Sequence, residues 1–196
     1  MQKEKVFTHL DCSILLDISL SEDQETALKK LIHFCLSGYG IEEEAFYTLV
    51  GYAGTGKTTI IGLLHKFLLE YIPDVLSLNI MYICPTYAAI NVLMQRLHAL
   101  NIDSSVSTFA SCFFRKRNRD VKTTLSLPKH KDNIIIIDEV SMLSDDDIGI
   151  LSDFTKKQKV KIIFLGDNKQ LPSIQKAKMV NGVLTSKDKI YIHQTH

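Results

Sequence analysis

The clearest chemistry in the chain lies in the run GYAGTGKTT, residues 51–59. It fits the pattern G-x-x-x-x-G-K-[ST] in full. Gly51, Gly54 and Gly56 let backbone N–H groups turn inward toward an anion, with Ala53, Thr55 and Thr59 completing the loop. A helix starting at the end of the loop would aim its positive end at the same place. Lys57 would then reach the β- and γ-phosphates of a nucleotide, and the Thr58 hydroxyl would ligate Mg²⁺. A chance glycine turn is the alternative, but it does not explain the apolar runs on either side.

A phosphate loop calls for a carboxylate on the metal side, at the end of another buried strand on the same sheet edge. The run NIIIIDEVSM offers Asp138 for the Mg²⁺ shell, acting through water, and Glu139 as the general base for an attacking water. Two surface carboxylates at a strand end are the plain alternative. However, an acidic pair directly after four isoleucines is not a solvated charge run. A third run, GDNKQLPSI, turns at Gly166-Asp167 and frees Gln170 to face the γ-phosphate. A neutral amide there bonds both phosphate and water, and so reports whether the γ-phosphate is present.

The elements needed to hold these loops are visible as periodicities. SEDQETALKKLIHFC opens with an S-x-x-Q capping box, Ser21 and Gln24, and repeats apolar residues at helical spacing, with Gly38 and Gly40 as its stop. Residues 45–50, 79–84, 133–138 and 160–167 read as strands, and 189–192 as a fifth. Ile60, Ile61, Leu64, Phe67, Leu68 and Tyr71 mark a helix after Lys57; Ile90, Leu93, Met94 and Leu97 mark another after Pro85-Thr86. Residues 104–132 read as polar, basic and irregular, and Ser144 as the cap of a helix opening with Asp145, Asp146 and Asp147. Those three acids suit the helix dipole better than a metal. Strands alternating with helices predict an α/β fold with a parallel sheet.

The 196 residues suit one such domain, with 45% hydrophobic and 23% charged residues. The net charge of +1 gives no global pull toward nucleic acid, so any such site must be local. The cysteines at 12, 35, 84 and 112 form no C-x-x-C pair, which points to reduced, buried thiols. His193 and His196 have ligand spacing without a further partner and receive no metal role. With no signal-peptide pattern and no membrane-length apolar window, the expectation is a soluble, cytoplasmic protein without a membrane partner.

GYAGTGKTT, CPTYAA, STFAS, IIIIDEVSM and GDNKQLPSI, in that order, resemble the motor motifs of superfamily 1 DNA helicases. The likeness is to the 5′-to-3′ branch that includes the phage Dda and bacterial RecD types, and it runs from about Leu20 to Ile192. It implies a P-loop NTPase of RecA-like fold, a parallel sheet flanked by helices, over residues 21–196, after an N-terminal extension at 1–20. It also implies ATP and Mg²⁺ as ligands and single-stranded DNA, or a duplex fork, as partner. At matching positions, Lys57 and Thr58 correspond to the ATP-phosphate and Mg²⁺ ligands, Asp138 and Glu139 to the metal carboxylate and catalytic base, and Gln170 to the γ-phosphate sensor. Gln24 is similar to the family's adenine-reading glutamine, with a simple capping role as the open alternative.

CPTYAA and STFAS look like the family's contacts to the single-strand backbone, which nominates Pro85, Thr86, Ser107 and Thr108. Loop capping by the threonines is the competing reading. The family often has His where this chain has Ala110, which removes one polar contact. A small basic insertion near 112–131 matches the place of the family's wedge hairpin. Arg115, Lys116, Arg117 and Arg119 beside Phe113 and Phe114 suit stacking on bases and pairing with phosphates; a solvated basic loop with both Phe in the core is equally open.

Such motors have two RecA-like halves, and the second brings arginines to the γ-phosphate. Motifs of the second half are absent from these residues, and none of the four arginines, at 96, 115, 117 and 119, has such a position in the sequence. The resemblance therefore implies a second RecA-like domain or subunit that supplies them, with slow hydrolysis by this chain alone. Two other readings stand beside the helicase motor: an ATP-dependent DNA- or partner-binding switch that does not unwind, and a small P-loop kinase, for which no lid arginines are visible.

Overall fold

The computed structural model describes residues 19–37, 45–71, 78–117, 120–122, 125, 127–129, 132–167 and 189–192. Its sheet is built from β1 (Phe46–Gly51), β2 (Leu78–Cys84), β3 (Val106–Thr108), β6 (Asp132–Ile137), β7 (Val160–Gly166) and β8 (Lys189–Ile192). The strand order is β3-β2-β6-β7-β1-β8 and every pairing is parallel. β1 and β7 are buried along their whole length, as an apolar strand covered on both faces must be.

Among the described residues five α-helices supply the cover: α1 (Glu22–Leu36), α2 (Lys57–Tyr71), α3 (Tyr87–Ala99), α4 (Phe109–Phe113) and α5 (Asp145–Lys157). Strand residues alternate between two cores. Ile134, Ile136, Ile163 and Leu165 pack with α1, α2 and α3, while Ile135, Ile137, Ile162 and Phe164 pack with α4 and α5. Sequence periodicity placed five of the strands to within a residue or two. It also placed the Ser21–Gln24 capping box on α1 and the Ser144 cap on α5. At α5 the structure adds that Asp147 closes a capping box with Ser144.

Two expectations need correction. Met94 is 49% exposed, so the buried stripe of α3 is Ile90, Leu93 and Leu97. Residues 104–132 are not irregular throughout: they contain β3, α4 and an antiparallel pair, β4 (Arg115–Arg117) with β5 (Asp120–Lys122). Helix α1 ends at Leu36 with Ser37 as its cap, and the expected stop residues Gly38 and Gly40 lie outside the described residues. Phe113 is fully buried against Phe109 and Phe154, whereas Phe114 is 40% exposed, so the two phenylalanines divide between the two readings. Cys35, Cys84 and Cys112 are buried and form no disulfide; Cys12 lies outside the described residues.

The end of α1 is fastened to the sheet by a buried lysine. Lys161 on β7 is 1% exposed and donates from Nζ to Phe34 O, to Ser37 O at 2.6 Å and to Ser37 Oγ at 2.6 Å. Its ammonium also lies 5.0 Å from the centre of the Phe34 ring. Carbonyls at a helix C-terminus lack intrahelical donors, and an ammonium offers three N–H bonds in one place. Lys161→Ala should lower stability by about 2–4 kcal/mol, through a cavity and unsatisfied carbonyls together. Lys161→Met refills the volume and should still lose about 1–3 kcal/mol. Urea unfolding checks both, and a Met variant as stable as the parent would remove the hydrogen bonds from the account.

Candidate nucleotide site

The parallel register brings three loops to one edge. Val50 pairs with Gly166, Ile137 pairs with Phe164, and Asp138 N donates to Ile83 O at 2.9 Å. Residues just past the strand ends therefore meet: Gly51 onward from β1, Asp138 and Glu139 from β6, Gly166 and Asp167 from β7. They line an open cleft of about 600 Å³ whose wall includes Gly54, Gly56, Lys57, Thr58 and Thr59.

The loop itself is made by two glycines. Gly54 has φ +81° and Gly56 φ +84°, conformations that cost an L side chain about 1–2 kcal/mol. Thr55 is buried between them and donates from Oγ1 to Tyr52 O at 2.9 Å, closing the turn. Helix α2 then begins at Lys57 with its N-terminal N–H groups facing the cleft edge. Gln24 braces the loop from α1: its Oε1 accepts from Ser21 N at 3.0 Å and its Nε2 donates to Thr55 O at 3.0 Å. The capping role and a place beside the loop hold together, since one carboxamide serves both.

Charge in the cleft is balanced at short range. Lys57 Nζ folds back onto Gly51 O at 2.6 Å and Tyr52 O at 2.8 Å. Burial lowers its pKa, opposed by the Asp167 and Asp138 carboxylates. Burial likewise raises the pKa of Asp138, opposed by the Glu139 N–H at 2.9 Å and by the Arg96 and Lys57 charges. Glu139 is exposed and adopts the left-handed region at φ 52°, ψ 48°. That is a strained conformation for a long side chain, and such strain gathers at functional sites.

Arg96 also lines this cleft, from the last turn of α3, although the sequence assigned it no place there. Asp167, Ala99 and Leu100 join the lining as well. Arg96 lies 38 residues after Thr58, and no spacing rule connects them; only the packing of α3 on α2 does.

The residues nominated for a nucleic-acid strand sit on the neighbouring strand ends, β2 and β3, away from the cleft lining. Thr86 and Thr108 both use their hydroxyls as N-caps, accepting from Ala89 N at 3.2 Å and Ser111 N at 3.1 Å. Thr108 is buried, Ser107 and Pro85 are half-buried, and Thr86 is exposed. Arg115, Lys116 and Arg117 form β4 of the antiparallel pair. Gln170 and Arg119 lie outside the described residues.

The donor set fits a nucleotide with Mg²⁺. The cleft combines glycine-formed backbone N–H groups, a lysine, a threonine hydroxyl and a carboxylate. Among the described residues no group of three or more His, Cys, Asp or Glu could hold a metal alone. Mg²⁺ suits such a place, because it takes one or two protein oxygens and completes its shell with phosphates and water.

The glycine geometry yields a differential test. Nothing lies within 4 Å of a Cβ built on Gly54, whereas one built on Gly56 would fall 2.7 Å from Gln24 Nε2. Gly54→Ala should therefore cost only the backbone strain, about 1–2 kcal/mol. Gly56→Ala should cost more, because the Gln24 amide must leave Thr55 O, and Gln24→Ala in the same chain should abolish the excess. Denaturant melts of the three variants read this directly; equal losses at Gly54 and Gly56 would contradict it.

The chain matches the family described as AAA domain over residues 19–194. An uncharacterised protein of Acanthamoeba polyphaga mimivirus is 30% identical over 173 residues, covering 77% of this chain and 33% of the relative. One from Methanocaldococcus jannaschii is 34% identical over 135 residues, covering 64% of this chain and 11% of the relative. The chain thus spans a third or less of these curated relatives. Its fold is similar to that of the Pif1 helicase from Candida albicans, with TM-score 0.52 and 16% identity, over 91% of this chain and 41% of that one. It is similar also to the UvsW helicase of Bacteriophage T4, with TM-score 0.51 and 13% identity, over 90% of this chain and 61% of that one. At those identities the likeness is one of fold. Among the described residues no helix is long and apolar enough to cross a membrane. With a match across nearly its whole length and a RecA-like parallel sheet carrying a phosphate loop, the chain belongs to the AAA domain family of P-loop NTPases.

Proposed function

We propose that this chain is the ATP-binding motor domain of an ATP-dependent DNA helicase, hydrolysing Mg·ATP and moving on single-stranded DNA once a second RecA-like domain or subunit completes it. The observation that carries the reading is the meeting of Lys57, Thr58, Asp138, Glu139 and Asp167 in one cleft beside two positive-φ glycines. The two proteins of similar fold that are named as helicases support the same reading.

The glycine-turned N–H groups and the start of α2 cradle the β-phosphate. Lys57 exchanges its two backbone carbonyls for phosphate oxygens. Thr58 Oγ and, through water, the Asp138 carboxylate would hold Mg²⁺, which when bound would supply positive charge beside the phosphates. Glu139, exposed at the cleft, orients the attacking water and accepts its proton as the γ-phosphoryl group leaves. Gln24 fixes the loop and turns its spare amide capacity toward the base. Arginines of the partner domain and Gln170 complete the γ-phosphate's surroundings. Pro85, Thr86 and Ser107, with the backbone N–H groups around Thr108, position a strand's phosphates at the ends of β2 and β3, and Arg115, Lys116 and Arg117 add cations from the hairpin.

Three measurements test the reading. Lys57→Ala should abolish Mg·ATP binding measured with a fluorescent nucleotide; retained affinity would defeat the phosphate-loop assignment. Glu139→Gln should bind ATP as the parent does while residual hydrolysis falls about 10²–10⁴-fold, and unchanged hydrolysis would remove Glu139 as the base. Hydrolysis by the parent should rise when single-stranded DNA and the completing domain are present. DNA affinity that depends on nucleotide without any turnover would instead favour a switch that does not unwind.

A further inference from the structure

Helix α3 lies close beside α2 because α2 carries a glycine where the two approach. A Cβ at Gly62 would collide with Leu100 Cδ1. One helical turn earlier on each helix stand Thr58 and Arg96, so the contact that seats Leu100 on Gly62 also brings Arg96 to Thr58. Arg96 Nη1 lies 3.4 Å from Thr58 Oγ1, at the outer limit of a hydrogen bond. Among the described residues its guanidinium makes no ion pair, and Arg96 is exposed to the cleft that it lines. A cation in the last turn of a helix also complements the dipole, and His98 shares that role, but the dipole does not require the side chain to reach across to the phosphate loop.

We propose that Arg96 is a nucleotide-contacting residue: from α3, within the same chain, its guanidinium binds the terminal phosphate of a nucleoside triphosphate held on the phosphate loop. The inference rests on the nucleotide-site reading above and adds a residue to it. A weak contact with a hydroxyl is readily exchanged for a charge-assisted bond to phosphate oxygens, which a planar guanidinium makes in pairs. The arginine side chain is long enough to swing between the two positions while α3 stays seated on α2. Such a residue gives this domain its own preference for the triphosphate over the diphosphate, before any partner domain closes on the cleft.

The test is equilibrium binding of a fluorescent non-hydrolysable ATP analogue and of fluorescent ADP, each with Mg²⁺, to the parent, Arg96→Ala, Arg96→Lys and Lys57→Ala. Arg96→Ala should weaken the ATP analogue about ten- to hundred-fold and ADP less than about threefold. Arg96→Lys should fall between parent and Ala, because it keeps the charge and loses the paired geometry. Parent-like binding of the ATP analogue by Arg96→Ala, with binding lost in Lys57→Ala, would overturn the inference and leave the site intact. Equal weakening of ATP analogue and ADP would also overturn it, since ADP lacks the γ-phosphate that Arg96 is proposed to contact. Parent-like binding in both Arg96→Ala and Lys57→Ala would bring down the inference and the site together. Arg96 is exposed, so thermal melts of its variants should match the parent.

Discussion

Where Asp138 ends up depends on Asn133. Strand β6 is a run of four isoleucines after Asn133, and a run of identical residues carries no information about its own register. A slip of one residue would still bury isoleucine on both faces, yet it would carry Asp138 and Glu139 away from the cleft. Asn133 prevents this. It is 2% exposed, it pairs in register with Asn79, and it accepts from Asn79 Nδ2 at 3.0 Å. Its own Nδ2 donates to Pro128 O and Lys159 O, each at 3.1 Å. Any slip would leave a buried carboxamide without these partners, which hydrophobic burial along the rest of the strand cannot offset site by site. The apolar residues make the strand, and the one polar residue at its start positions the acids at its end.

The phosphate loop is held by a comparable division of labour. Its conformation comes from Gly54 and Gly56, but its placement comes from α1, which contributes nothing else to the cleft. At its N-terminus α1 offers Gln24, which bonds the loop at Thr55 O. At its C-terminus α1 is fixed by Lys161 on β7, the strand that ends in Gly166-Asp167. The helix therefore spans from one cleft-forming strand to the loop grown from the neighbouring one. Stiffness in that strut limits how far the loop can drift from Asp167, and a preorganised anion site loses little in ordering when a phosphate arrives.

Much of this was legible in the sequence, for identifiable reasons. Buried parallel strands appear as continuous apolar runs, capping boxes have fixed spacing, and the phosphate loop is a local motif whose residues are all within nine positions. What was not legible is whatever depends on two elements meeting. Arg96 looks like an ordinary charged residue near a helix end until Gly62 and Leu100 bring α3 onto α2. Met94 fits the helical spacing of its neighbours, yet it points outward because the buried stripe follows Ile90, Leu93 and Leu97. The left-handed backbone of Glu139 has no compositional sign, since the residue is neither glycine nor asparagine. The threonines of CPTYAA and STFAS were ambiguous between capping and phosphate contact. Both hydroxyls accept as caps, which engages an oxygen lone pair and leaves each O–H as a donor.

The electrostatics of the cleft suit a polyanion held beside a divalent cation. Burial favours neutral Lys57 and neutral Asp138; Asp167 and then Asp138 oppose it for the lysine, while the Glu139 N–H, Arg96 and then Lys57 oppose it for the carboxylate. In the proposed site a triphosphate would add negative charge beside Lys57 and Arg96, favouring the charged lysine, and a divalent cation would do the same for the Asp138 carboxylate. Lys57 would exchange its two carbonyl partners for phosphate oxygens. In the proposed nucleotide site, a loop already set by Gly54, Gly56 and Gln24 would then take up its ligand with little rearrangement.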